Sequence, residues 1–219
     1  MKFVYAAALI PGLLFAGDAA AQQVAPFKIG AVAIEAPIPA GFCLPSGDAI
    51  AKAQLGAASD TGNTTHATLY ACAQMQGSDR INDYFLIKTP KDLLDVKLTR
   101  GEVLDALTKE LEDPNFSEEK LSRDAGAEAS KGISEASGTQ TTVTTDIRPL
   151  GRDKDCAYMG GIVAATTAEG SFALNVGGCV TAVGDRLVMV FRYAKGTTRA
   201  AATALLPDAR KLAMALRVK

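Results

Sequence analysis

The chain has 219 residues, a formal net charge of −1 with interspersed signs, no Trp, one His and four Cys. Such a balance excludes a nucleic-acid or anionic-membrane patch built on excess basic charge. An absent Trp and 6% aromatic content speak against a carbohydrate platform, leaving a core of Ala, Val and Leu.

Lys2 is followed by an almost unbroken apolar run, Phe3 to Ala16, and then by Ala19-Ala20-Ala21 before Gln22. This is the layout of a secretory signal peptide, with a basic start, a short apolar core and a small-residue cleavage site between Ala21 and Gln22. The run is short of the about 20 apolar residues that a spanning helix needs. Residues 1–21 are therefore expected to be removed, and residues 22–219 to form a single domain in the periplasm with no transmembrane segment.

Phe27 to Ile34 alternates as one strand, ended by Pro37 and Pro39. Ser46 is placed to cap a helix through about Ala57. The polar stretch from Ser59 to Thr64 reads as a loop, Thr65 to Met75 as a second strand and Tyr84 to Lys88 as a third. Thr99-Arg100-Gly101-Glu102 matches a capping box, and Val103, Leu104, Leu107 and Leu111 follow at helical spacing. Ser117 opens a further helix through about Ala136. Its apolar positions are sparse and Gly126 and Gly132 weaken it, so 117–136 reads as a surface helix or mobile excursion.

A strand-like run follows from Gly138 to Thr145. Three more strands are expected at Cys156–Ala165, Ser171–Val183 and Arg186–Ala194, with a tight turn at Gly184-Asp185. Leu187, Met189, Phe191 and Tyr193 mark one face of the last strand. Thr197 caps a final helix that Pro207 kinks or restarts, and Lys211, Arg217 and Lys219 sit near its end. The fold class is α+β, a largely antiparallel sheet of about six strands with helices packed on it.

An even number of cysteines in an oxidising compartment reads as two disulfides, for which Cys43, Cys72, Cys156 and Cys179 allow three connectivities. A four-residue loop, Thr166 to Glu169, sets Ala165 opposite Gly170 and brings Cys156 opposite Cys179. That geometry favours their bridge, and Cys43 with Cys72 follows by elimination. No Cys-x-x-Cys pair and no cluster of metal-ligand spacing is present.

Chemical motifs are scarce. His66 has no nucleophile elbow or visible acid partner, so a strand residue near a loop fits it better than a general base. Asp153-Lys154-Asp155 lacks the remaining ligands of a Ca²⁺ loop and reads as a solvated turn. The doublets Gly160-Gly161 and Gly177-Gly178 lie inside strands. They mark a bend, a bulge or a close approach, and with Tyr158 they form a candidate binding notch. The same register puts Gly160 opposite Asn175 and Gly161 opposite Leu174. No catalytic residue, metal site or cofactor is assigned.

Pro37-x-Pro39-Ala40-Gly41-Phe42-Cys43, a strand ending Leu69-Tyr70-Ala71-Cys72, and a late apolar strand leading into an Ala/Leu helix resemble a group of uncharacterised exported proteins of Gram-negative bacteria. The element order is similar to the PsbP/Mog-type α-β-α sandwich. The resemblance implies a sheet between helices and an accessory or binding role. The expected function is a non-enzymatic protein-interaction module of the cell envelope with 117–136 as its first candidate surface. The alternatives are a small-ligand carrier and a hydrolase of unknown substrate.

Overall fold

A computed structural model describes residues 23–75 and 81–219. The expected signal peptide and its Ala21/Gln22 cleavage site lie outside them. β1 (Val24–Ile29) and β2 (Val32–Pro37) form a hairpin around Gly30-Ala31. The single strand expected over 27–34 is thus two. Gly30 adopts φ +54°, a conformation that admits a tight reversal inside an apolar run. β3 is only Phe42–Cys43, and α1 runs Asp48–Ser59. Gly47, not Ser46, is the N-cap of α1, with no side-chain cap bond.

β4 (Asn63–Ala71) ends four residues earlier than expected, where Cys72–Met75 turns into the short helix α2. β5 (Tyr84–Pro90) leads through a 3₁₀ turn to α3 (Arg100–Leu111), whose capping box is complete in both directions between Thr99 and Glu102. α4 is Glu118–Ser137, capped by Ser117 and closed by left-handed Gly138. Four long strands follow, namely β6 (Thr142–Arg152), β7 (Ala157–Thr167), β8 (Gly170–Val183) and β9 (Arg186–Lys195). Gly184 and Asp185 both have positive φ in the expected turn between β8 and β9.

The closing helix is split. α5 (Arg199–Thr203) is capped by Thr198 in place of the expected Thr197, and α6 (Leu206–Ala215) takes Pro207 in its first turn, where a missing N–H is tolerated. Arg217 and Val218 form β10 against β2, so Arg217 and Lys219 pair with Glu35 and do not serve the helix end.

One sheet has seven strands in the order β3-β4-β5-β9-β8-β7-β6, and the other is β1-β2-β10. Among the described residues every strand pairing is antiparallel. The fold is a single α+β domain. Its main core lies between the two sheets and under α6. Leu69, Phe85, Ile87, Val188 and Val190 of the large sheet meet Ile29, Ile34 and Leu212 there. Period-2 alternation turns Tyr84, Leu86 and Lys88 to the opposite face, beside Tyr193, Phe191 and Met189. On that face α3 seats Val103 and Leu104 against Val180, Ala182 and Leu187.

The β7–β8 register differs from the expected one by two residues. Thr167 faces Gly170 around a two-residue turn, and Tyr158 faces Cys179. Cys156 and Cys179 are nonetheless bridged, as a diagonal pair with Cα atoms 5.3 Å apart. A shift of two conserves the face of every side chain, which is why the pairing survives a wrong register. Cys43 and Cys72 form the second disulfide, and no cysteine is free.

Helix α4 sits along β6, the edge strand of the large sheet. Ser122, Gly126, Ser130 and Ser134 recur every fourth residue on one side of the helix. The Ser122, Ser130 and Ser134 hydroxyls accept the edge N–H groups of Ile147 (2.8 Å), Val143 (2.8 Å) and Thr141 (3.0 Å). Four helical residues rise about 6 Å and two strand residues about 6.7 Å, so the two repeats stay nearly in step. Gly126 allows the close approach, since a Cβ there would stand 3.0 Å from the Val143 carbonyl. The helix does what an eighth strand would do, satisfying backbone donors that an open edge leaves bare. Residues 117–136 are thereby tied to the sheet by their small face.

Candidate functional site

The four glycines of the expected notch are filled by the chain itself. A Cβ at Gly177 would meet the Ala202 carbonyl at 2.9 Å, where α5 packs down, and one at Gly178 would meet the Phe191 ring at 2.4 Å. At Gly161 it would fall 1.8 Å from the Asp146 carbonyl of β6, and at Gly160 2.7 Å from the Leu150 side chain. Their pairing partners are also corrected, with Gly160 opposite Gly177 and Gly161 opposite Val176. These positions serve close approach of strands, helix and ring.

Tyr158 is different. It lines an open groove of about 680 Å³ whose wall is α6, with Leu206, Pro207, Arg210, Lys211 and Met214. Beside the groove lies a connected set of charged groups. The Tyr158 hydroxyl donates to Asp153 at 2.7 Å, and Arg210 Nε donates to the same carboxylate oxygen at 3.2 Å. The other oxygen of Asp153 accepts the backbone N–H groups of Asp155 (2.7 Å) and Cys156 (2.8 Å). Asp155 in turn pairs with Arg210 and, at 3.1 Å, with Arg100. The expected solvated turn at 153–155 is a hydrogen-bonded one, locked to α3 and α6 by arginines.

The chemistry of this cluster is that of structural ion pairs. Burial acts to raise the Asp153 pKa, but the Tyr158 hydroxyl, the two backbone donors and Arg210 outweigh it and hold it at about 2. Burial and the Asp153 carboxylate push the Tyr158 phenol up to about 12. The carboxylate is thus charged and the phenol protonated across the ordinary pH range, with neither poised to exchange a proton near neutrality. Lys211 is an exposed ammonium on the groove wall with no ion pair among the described residues.

His66 occupies a bulge in β4 between Thr65 and Ala67. Its ring stacks on Phe27, with centroids 5.2 Å apart and planes 19° apart. Burial lowers its pKa, and Nε2 is buried with no hydrogen-bond partner. Among the described residues no hydroxyl or carboxylate bonds to it, so no catalytic triad assembles there. No group of three or more His, Cys, Asp or Glu able to hold a metal occurs among the described residues.

No family model and no curated protein matches this chain. Among solved structures it is similar to cyanobacterial PsbP (CyanoP) from Synechocystis sp. PCC 6803. The likeness has a TM-score of 0.41 and 11% identity and covers 93% of this chain and 96% of that one.

Two features escaped the sequence reading. The groove arises because α6 restarts at Pro207 beside β7, a tertiary placement with no local signature. The arginine lock joins Arg100, Asp153, Asp155 and Arg210, which are dispersed along the sequence. The signal for the α4 packing is its small residues at every fourth position, Ser122, Gly126, Ser130 and Ser134, whose meaning depends on the strand edge alongside.

Proposed function

We propose that this chain is an exported, disulfide-locked accessory module of the bacterial cell envelope that holds a partner protein and performs no chemistry of its own. The observation that carries the reading is the closure of all four cysteines into two disulfides, a state that persists in an oxidising compartment such as the periplasm. Within the described residues no helix is long and apolar enough to cross a membrane.

The partner surface we assign is the groove beside α6. Its wall offers Leu206, Pro207 and Met214 next to the exposed ammonium of Lys211, which has no ion pair among the described residues. That combination fits a protein segment presenting apolar side chains beside a carboxylate. The small face of α4 is committed to β6, which leaves 117–136 only its charged outer face for contacts.

A photo-crosslinking residue at Thr203, on the rim of the groove, tests the assignment in the producing cell. A discrete crosslinked protein that disappears in Lys211→Glu is expected. Unchanged crosslinking in that variant would remove the groove from the interface. The second reading, a small-ligand carrier, is favoured by the same groove and by Tyr158 in its lining. Native mass spectra of protein purified from its own periplasm would then carry a small-molecule adduct in place of a protein crosslink.

A further inference from the structure

The two disulfides occupy different environments. Cys156 and Cys179 are 0% exposed and belong to the core between the sheets. Cys43 and Cys72 are both half-buried, at the outer edge of the large sheet. What Cys43 anchors is slight. β3 contributes only two register pairs, Phe42 with Ala71 and Cys43 with Tyr70, together with the bond from the Cys72 N–H to the Gly41 carbonyl at 2.9 Å. Among the described residues, the further holds are the Phe42 N–H bond to the Pro39 carbonyl at 3.0 Å and the Phe42 ring, edge-on to Phe85 at 4.8 Å with the Arg192 guanidinium 4.8 Å from its centroid.

The bridges span 29 and 23 residues, so chain entropy ranks them nearly equal. What separates them is access and the amount of structure that must move for a thiolate to reach sulfur. A reagent reaching Cys156–Cys179 has to part the core, whereas one reaching Cys43–Cys72 meets a two-residue edge strand.

We infer that Cys43–Cys72 is a thiol–disulfide exchange site, opened by a dithiol reductant while Cys156–Cys179 stays closed and the fold persists. One thiolate of the dithiol attacks a sulfur of the Cys43–Cys72 bridge. The S–S bond breaks, and a mixed disulfide forms with release of one cysteine thiolate. The second thiolate of the dithiol displaces the other cysteine, and the reagent leaves as its own disulfide. Two electrons pass to the protein, and Cys43 and Cys72 take up protons from water. The consequence is local. β3 loses its covalent tie to the β4–α2 junction, and the edge of β4 at Tyr70 becomes available.

The test uses the oxidised full chain under native conditions, with dithiothreitol as the probe. Aliquots are quenched with N-ethylmaleimide and read by intact mass and peptide mapping. A plateau of doubly alkylated protein, modified at Cys43 and Cys72, is expected, with the buried pair reduced about tenfold or more slowly. Hydrogen exchange on the same samples should show the amides of Phe42, Cys43 and Cys72 losing protection while those of Val180 and Val190 keep it. Labelling of all four cysteines together, labelling of Cys156 and Cys179 first, or no labelling until the fold melts would each overturn the assignment. The result does not depend on any partner, so it stands or falls separately from the groove.

Discussion

At the scale of single residues, charge is used here to fasten. Asp153 accepts from a phenol, two backbone amides and an arginine, and this is enough to hold its pKa at about 2 against the opposing effect of partial desolvation. A folded-state pKa below the ordinary 3.8 favours the folded state wherever the carboxyl is ionised in both states. That contribution is complete above the unfolded value and is lost as pH falls from about 4 through 2. Tyr158→Phe removes one donor. Its predicted effect is a rise of the Asp153 carboxyl midpoint in an NMR titration toward the ordinary value, with acid unfolding starting at higher pH. An unmoved midpoint would mean that the backbone donors and Arg210 alone set the shift. Lys88 and Asp60 form a second such pair, largely buried, with Asn63 bonding the free carboxylate oxygen.

At the scale of elements, the instructive case is α4. Its sequence is poor for a free helix, with Gly126 and Gly132 inside it and few large apolar residues. The start at Ser117 was nevertheless legible, because it rests on local hydrogen bonding. Gly138, which reads as the first residue of a strand-like run, is instead the left-handed residue that closes the helix. The packing was not legible, since small residues announce close approach without saying to what. Gly126 admits the β6 edge, and Gly132 admits α1, where an added Cβ would lie 1.9 Å from the Ser59 carbonyl. Ser130→Ala should cost about 1–3 kcal/mol, the penalty of leaving a part-buried edge N–H unpaired, and should speed exchange of the Val143 amide in particular. Denaturant titration and hydrogen exchange read both. A neutral result at both would show that water replaces the hydroxyl without loss.

Strands were read by a rule of similar reach. Alternation located β5, β7, β8 and β9 within a few residues, but it could not count turn residues. The β7–β8 loop is two residues long, not four, so the register moved while the faces stayed. Phe27 to Ile34 reads as continuous because Gly30-Ala31 is too brief to interrupt an apolar pattern. β10 was invisible, being two residues whose only reason to be extended is the free edge of β2.

For the molecule as a whole, the architecture follows from few large side chains. With no Trp and little aromatic content, the core spreads over two sheets in thin layers of Val, Ile, Leu and Ala. Covalent staples suit such a layout. One lies in the centre of the core and one at the sheet edge, each worth about 3 kcal/mol in the chain-entropy account. The α+β class and the cysteine pairing could be read from the sequence because they depend on periodicity and parity. The groove, the arginine lock and the edge-covering helix could not, because each joins segments that meet only in three dimensions.

The proposed role rests on an exported chain whose cysteines are oxidised. Intact mass spectrometry of protein recovered from the periplasm of its own cell, alkylated before and after reduction, tests it most directly. The predicted result is a chain beginning at Gln22 that takes up no alkylating reagent until it is reduced. A chain that retains its first 21 residues, with all four thiols alkylated directly, would contradict both the export and the scaffold.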